Sequence, residues 1–466
     1  MIQHFVRFKG FGQLMELQEL DSFIARKGQG FMVRELMNMR ELTGRLCIRV
    51  IENVRSKEEA MEARLMYKKH LGALELEGRK VQKFALEGLQ PHPNIQELTI
   101  KFYHDQDFAH WVLQPDNLAN LLHVNLESCR ALSTLPPLGH LPFLKLLSLR
   151  KLPSITHIDG TSFGCFPSLE ELEFHWMGKW EQWTKPNVAA VVQSHGPPLF
   201  LGRLKKLHLA YCSLLRQLPR FPYLSTLKEL KISEPGNYIL ELPTCLPVLA
   251  CLTTFKIEYC HHSVVLSPHK FRSLENLELI KCERLRLADG FQGFGNLRSS
   301  RVEGCPQLLS VTADSVMAGL GQELHDKQQQ QQQGANLLTH LRTDDSLITG
   351  DYFRKMENLP SLRELYLHDT LNDKHFSEVQ ELWFQQLTSL EVLYIHGSIV
   401  LQCLPSSLSA LPSIKKIALC RLQNLISLPS NLQEFHIEQC DPELRNRVSK
   451  DRPDWPKVAH VPYNTS

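Results

Sequence analysis

The sequence predicts an α/β solenoid: short parallel strands stacked coil on coil into a curved horseshoe, with an outer side that is mostly irregular or short-helical. Three observations carry that expectation. A phrase reading apolar, two variable, apolar, one variable, apolar recurs along the chain, as in "IQELTI" from Ile95, "LLHVNL" from Leu121, "LENLEL" from Leu274 and "LEVLYI" from Leu390. Its spacing from Leu71 onward runs 24, 26, 23, 25, 35, 23, 25, 22 and 23 residues, the period of leucine-rich repeats apart from one long interval. Between the phrases lie stretches such as "LPPLGHLPFL" and "LPSSLSALPSI", whose prolines disfavour regular helix on the return path.

The phrase has a mechanical reason. Its last two apolar positions lie on one face of a short strand while the residue between them faces solvent, and the first apolar position closes the preceding turn. One coil cannot bury its apolar edge alone, so each repeat needs neighbours.

Taken in order, residues 1–52 hold N-terminal repeats ("LMELQEL", "LMNMREL"). Residues 53–70 read as a helical outer segment of a long repeat, because "SKEEAMEARLMYKKH" opens with Ser56 and Glu59 at capping-box spacing and lacks Gly and Pro, which predicts about three helical turns. Leucine-rich repeats then fill 71–305. Residues 306–336 form a loop insertion containing six consecutive glutamines, which cannot build a packed core. Repeats resume over 337–440, starting with a degenerate one around "LLTHLRTDD". Residues 441–466 depart from the pattern and read as a cap that lays Trp455, Val458 and Val461 over the last coil.

Bulk composition narrows the partners. With 52 basic and 50 acidic residues the net charge is +2 and no basic block stands out, which argues against nucleic acid. Apolar residues reach 43%, yet no run approaches the roughly 18–20 needed to span a membrane. The first residues lack the continuous apolar segment of a secretion signal, and the single glycosylation sequon, at Asn464, sits near the end. Both point to a cytoplasmic protein whose twelve cysteines stay reduced.

Six of those cysteines, Cys129, Cys212, Cys260, Cys282, Cys305 and Cys440, stand three residues past the last apolar position of their phrase. Leucine-rich repeats put Asn or Cys there, turned inward as the chain leaves the sheet. The column therefore reads as structural rather than as a disulfide framework or metal site. Cys260-His261-His262 is adjacent in sequence but offers no paired close spacing of the kind zinc sites use. "GTSFG" places Ser162 in the G-x-S-x-G pattern, but the repeat context predicts neither the strand nor the helix a nucleophile elbow needs. No catalytic residue, metal or cofactor is assigned, and an enzyme is not expected.

"RELTGRLCIRVIENVRSKEEAMEARL", "LEGLQPHPNIQELTI", "LPPLGHLPFLKLLSL" and "CDPELRNRVSKDRPDWPKVAHVPY" resemble, in order and wording, the leucine-rich-repeat region of plant intracellular disease-resistance proteins of the nucleotide-binding type, particularly the coiled-coil class of grasses. The resemblance implies an immune-receptor region that recognises pathogen effectors or host proteins and holds its own nucleotide-binding domain inactive. That domain is absent here, for no G-x-x-x-x-G-K-[ST] loop occurs. The alternative is a stand-alone intracellular repeat scaffold or ubiquitin-ligase substrate adaptor.

In stacked repeats the solvent-facing strand position recurs about 4.8 Å along the sheet and forms a column. Here it reads Thr99, Asn125, Ser148, Glu173, His208, Lys231, Lys256, Glu278, Arg301, Tyr366, Tyr394, Ala418, His436. The plain reading of any one of these is a solvated residue. The sharper expectation is a protein-binding concave surface using Lys231, Lys256, Glu278, Arg301, Arg363, Tyr366, His368, Tyr394, His396 and His436, with the two tyrosines and their following histidines as an exposed anchor.

Overall fold

The computed structural model of the protein describes residues 11–28, 30–164, 166–184, 201–216, 224–236, 239, 249–288, 290–309, 337–344, 359–368, 374–425, 434–438, 440, 446, 449–450, 452 and 463–465. The chain divides into two compact units, Met1–Glu241 and Leu242–Ser466.

In the first unit the strands are β1 (Ser22–Ile24), β2 (Gly44–Arg49), β3 (Leu71–Leu76), β4 (Glu97–Lys101), β5 (His123–Glu127), β6 (Leu146–Arg150), β7 (His157–Asp159), β8 (Glu171–His175), β9 (Gln182–Thr184), β10 (Lys206–Cys212) and β11 (Glu229–Pro235). All but β7 and β9 join one parallel ladder in chain order. β7 and β9 pair with each other on the return path.

The second unit repeats the plan with β12 (Thr254–Glu258), β13 (Val264–Leu266), β14 (Asn276–Ile280), β15 (Leu285–Leu287), β16 (Ser299–Glu303), β17 (His340–Thr343), β18 (Glu364–His368), β19 (Val392–His396), β20 (Lys416–Cys420), β21 (Glu434–Glu438) and β22 (Tyr463–Thr465). β13 and β15 form the outer pair and the rest a parallel ladder. This is the leucine-rich-repeat fold. β16 and β17 pair directly from Ser299↔His340, so the chain between them leaves and returns to adjacent places in the ladder. β22 pairs Tyr463, Asn464 and Thr465 with Phe435, His436 and Ile437, so the tail adds a strand where only a cap is expected. Trp455, Val458, Val461 and the glutamine run lie outside the described residues.

The strands alternate buried and half-buried residues, as in Glu97–Lys101, and Ile95, Leu98 and Ile100 of that coil all enter the core. Burying each such side chain contributes roughly 1.5–3 kcal/mol, realised only when the neighbouring coils cover it.

Most of the described coils leave the sheet through a left-handed residue two positions past the last core residue. Phe102, Ser128, Lys151, Trp176, Tyr211, Tyr259, Lys281 and Arg421 have φ between 52° and 60°. A non-glycine residue pays of order 1 kcal/mol for that geometry. The turn is held because the same residue's N–H donates to the next strand's carbonyl: Ser128 N to Arg150 O at 2.8 Å, Lys151 N to His175 O at 2.8 Å.

The following residue then points inward, which is where the cysteine column lies. All six thiols are buried, and Cys282 Sγ donates to Ile257 O at 3.5 Å and Ile280 O at 3.4 Å, bridging its own coil to the one before. Burial pushes the Cys129 and Cys212 thiols up to about 12 and Cys260 to about 11.

The long-repeat helix is shorter than its composition suggests. α1 (Lys57–Met61) starts where expected, Ser56 Oγ accepting from Glu59 N at 3.2 Å, but Arg64 turns left-handed (φ 49°) and ends the helical path. The break brings Lys68 into the core, where Nζ donates to Leu36 O (2.6 Å) and Met39 O (2.7 Å). Burial, helped by nearby Arg40, lowers its pKa to about 8. Other return-path helices are single turns or little more: α2 (Lys83–Gly88), α3 (His110–Leu113) and α4 (Gly160–Phe163). α5 (Glu378–Gln386) is the exception, a nine-residue helix with a complete Ser377/Gln380 capping box. Among the described residues no helix is long and apolar enough to cross a membrane.

Candidate functional site

The predicted column is a column in the structure. In the first unit Thr99, Asn125, Ser148, Glu173, His208 and Lys231 are successive ladder partners. In the second unit Lys256, Glu278, Arg301, Arg342, Tyr366, Tyr394, Ala418 and His436 are. Sequence reasoning left out Glu75, the ladder partner of Thr99 at the start of the first unit's column, and Arg342 in the second. "HLRT" has an ordinary core leucine, but Thr343 stands in place of its last apolar residue, which hides the phrase.

Most of the charge on these faces is cross-linked. In the first unit Glu173 accepts from Ser148 Oγ (2.9 Å) and Arg150 Nη2 (2.6 Å) and faces His208 Nδ1 at 3.4 Å. Its hydrogen bond from His208, with those from Arg150 and Ser148, outweighs burial and holds the carboxyl well below the usual carboxylate range. Lys231 meets Glu229 at 2.5 Å.

In the second unit Lys256 lies between Glu258 (3.0 Å) and Glu278 (3.2 Å). Arg301 forks onto Glu303 through Nε and Nη2, both at 2.9 Å, and Arg342 Nε reaches the same carboxylate at 2.8 Å. Burial works to raise the Glu303 pKa, and the two guanidiniums override it. An open groove of about 540 Å³ runs here, lined among others by Glu278, Arg301, Arg342, Glu364 and Tyr366.

Beyond the arginines the face becomes aromatic. Tyr366 and Tyr394 stack at 4.1 Å between ring centroids, 5° from parallel, and His368 and His396 lie 5.1 Å apart beside them. Tyr366 Oη donates to Glu364 Oε2 at 3.0 Å. The expected exposed patch is therefore half-buried: the tyrosines spend one ring face on each other. Ala418, the next member of the column, stops at Cβ and leaves room against Tyr394.

Two other predicted residues lie outside the tyrosine patch. Arg363 precedes β18, exposed at the leading edge of the strands and away from the column. His436 is half-buried in β21, two ladder steps beyond Tyr394.

Two donor clusters are close enough to consider for a metal: Cys47, Glu75 and Glu77, and Glu171, Glu173 and His208, each set within 4.8 Å. Sequence spacing hid both, since their members come from different coils. Glu75 is already held by Arg45 and by Lys101 Nζ (2.7 Å), and Glu173 by Arg150, so protein cations occupy the positions a metal would neutralise. At Cys260 the thiol turns inward toward His262 O (3.9 Å), while His261 is exposed near Glu283. Ser162 falls within the single turn of α4, which directly follows β7. That corrects the expectation of neither strand nor helix. The turn ends at Gly164 with φ 100° and so provides no long helix behind the serine.

Residues 33–152 match the family model of R13L1/DRL21 leucine-rich repeats. The chain is 28% identical over 282 residues to the disease resistance protein RGA1 of Solanum bulbocastanum, covering 59% of this chain and 27% of that protein. It is 26% identical over 339 residues to the disease resistance RPP13-like protein 1 of Arabidopsis thaliana, covering 62% and 31%. A solved leucine-rich-repeat protein of Leptospira interrogans superposes with a TM-score of 0.42 at 18% identity, over 93% of this chain and 97% of that one. The matched segment spans less than a third of the length of the plant relatives.

Proposed function

We propose that this chain, a leucine-rich-repeat protein related to the repeat regions of plant disease-resistance proteins, is the recognition and autoregulatory region of a cytoplasmic immune receptor. Its partners are a pathogen effector or a host protein, and a nucleotide-binding domain of the same receptor that lies outside this sequence.

The observation that carries the reading is the stacked Tyr366–Tyr394 pair on the sheet face of the second unit. Stacking fixes both rings before a partner arrives, so little side-chain entropy remains to be lost on binding. Rigid aromatics flanked by polar residues are the usual energetic centre of a protein interface. The surrounding charges are paired within the chain, which suits them to orienting a partner more than to supplying affinity.

The test is a quantitative binding measurement with candidate effectors and with the nucleotide-binding domain supplied in trans. Tyr366→Ala with Tyr394→Ala is expected to weaken the complex by about 30-fold or more, the scale of a hot spot of about 2 kcal/mol. Tyr366→Phe, which keeps the ring, should bind nearly as the parent does. A double variant with unchanged thermal unfolding and unchanged affinity for every partner that the parent binds refutes the assignment.

A further inference from the structure

A second pocket, of about 320 Å³, opens at the leading edge of the second unit's strands and is lined by Arg298, Thr339, Ser361, Arg363 and Ser389 with their neighbours. We propose that it binds a phosphate monoester dianion.

The backbone ladder sets its width. Thr339 N donates to Arg298 O and Arg363 N to Thr339 O, each at 2.9 Å. The two arginines are thus two rungs apart, about 10 Å along the sheet, with a short residue between them. At the same position in other coils a cation meets an anion on the adjoining rung, as in Lys205–Glu170 and Lys415–Glu391, both 2.7 Å. Here Thr339 takes the middle rung, and its hydroxyl is already committed to Arg298 O at 3.0 Å. Arg298 makes no ion pair among the described residues. Arg363 has only a 3.7 Å approach to Glu391, whose carboxylate is drawn to Lys415.

The hydroxyls are the second observation. The residue just before the first apolar position of a phrase regularly donates to a carbonyl of the coil before. Asn120 does so to Pro93 O (3.1 Å), Ser168 to Pro142 O (2.7 Å), Ser273 to Ala250 O (2.7 Å) and Asn296 to Arg272 O (2.6 Å). Ser361 and Ser389 hold that position, and among the described residues neither hydroxyl has a partner.

Two guanidinium forks and two free hydroxyls offer more donors than a carboxylate's two oxygens use, and they suit the three terminal oxygens of a phosphate monoester. Glu275 and Glu391 occupy the rungs on either side. The cationic stretch is therefore too short to track a nucleic-acid backbone.

Calorimetric titration of the full chain tests this with inorganic phosphate, a phosphoserine peptide and its unphosphorylated counterpart. Both phosphate probes should bind, more weakly as salt rises, and the unphosphorylated peptide should not. A much tighter peptide assigns the site to a phosphorylated partner; equal affinities assign it to a free anion. Arg298→Gln with Arg363→Gln, two exposed positions, should cost at least tenfold in affinity with an unchanged melting curve. Arg298→Lys with Arg363→Lys should fall in between. Tyr366→Ala with Tyr394→Ala should bind phosphate as the parent does, which separates this site from the tyrosine face. No phosphate binding by the parent, or undiminished binding by the glutamine variant, overturns the proposal.

Discussion

Lys68 shows what one residue can hide in a repeat. In sequence it is one of two adjacent lysines, Lys68 and Lys69, at the end of a predicted helical stretch, a solvated position by every ordinary expectation. The left-handed break at Arg64 instead drives it inward, 1% exposed, to satisfy two carbonyls. Its pKa is lowered to about 8 from an ordinary 10.5. The folded chain therefore holds fewer protons than the unfolded chain between those values, and stability rises with pH across that window. The contribution is of order 3 kcal/mol. Urea midpoints measured from pH 7 to 10.5 should show the rise in the parent and not in Lys68→Met. That variant should also lose about 1–3 kcal/mol at pH 8.5, where the lysine is largely neutral in the fold, because two buried carbonyls are left without a donor.

At the scale of the element, return paths follow local chemistry more than the repeat does. The proline-bearing stretch 403–413 gives only the 3-10 turn Ser406–Ala410. "FSEVQELWFQQL", free of proline, gives α5, and its S-x-x-Q box was readable in advance. α5 then reaches the neighbouring coil, where Glu381 accepts from Ser406 N (2.8 Å) and Ser407 N (3.2 Å). Ser377→Ala is expected to destabilise the second unit by about 0.5–2 kcal/mol, measured by denaturant unfolding. The long interval after Leu169 yields differently. Its first half is core, with Trp180 packed 4.5 Å from Phe174 and β9 paired to β7. Aromatics at 180 and 183 were the signal that this stretch is not simply a loop.

Across the whole molecule the cysteine column is the feature that recurs in both units. Cys129 and Cys212 in the first, and Cys260, Cys282, Cys305 and Cys440 in the second, are buried thiols, whereas Cys251 is exposed. Under native conditions an alkylating reagent followed by mass spectrometry should label Cys251 within minutes and leave the six unmodified until denaturant is added. Rapid labelling of Cys129 or Cys282 in the folded chain would contradict the turn geometry described above. The column thus reports the integrity of the coils.

The sequence alone determined the repeat, its register and most of the side chains on the sheet face, because a strand's period of two and a ladder in constant register turn residue spacing directly into position. It also contained the family wording. Only the tertiary structure decided which face residues are free. Whether Tyr366 stands open or stacks on Tyr394, whether Glu303 also clamps Arg342, and whether Arg363 joins the column or a pocket at its edge all depend on contacts between coils 20 to 40 residues apart. Intervals of variable length and a phrase disguised by Thr343 break the link between sequence distance and those contacts, so the energies that select a binding surface are not written in any single repeat.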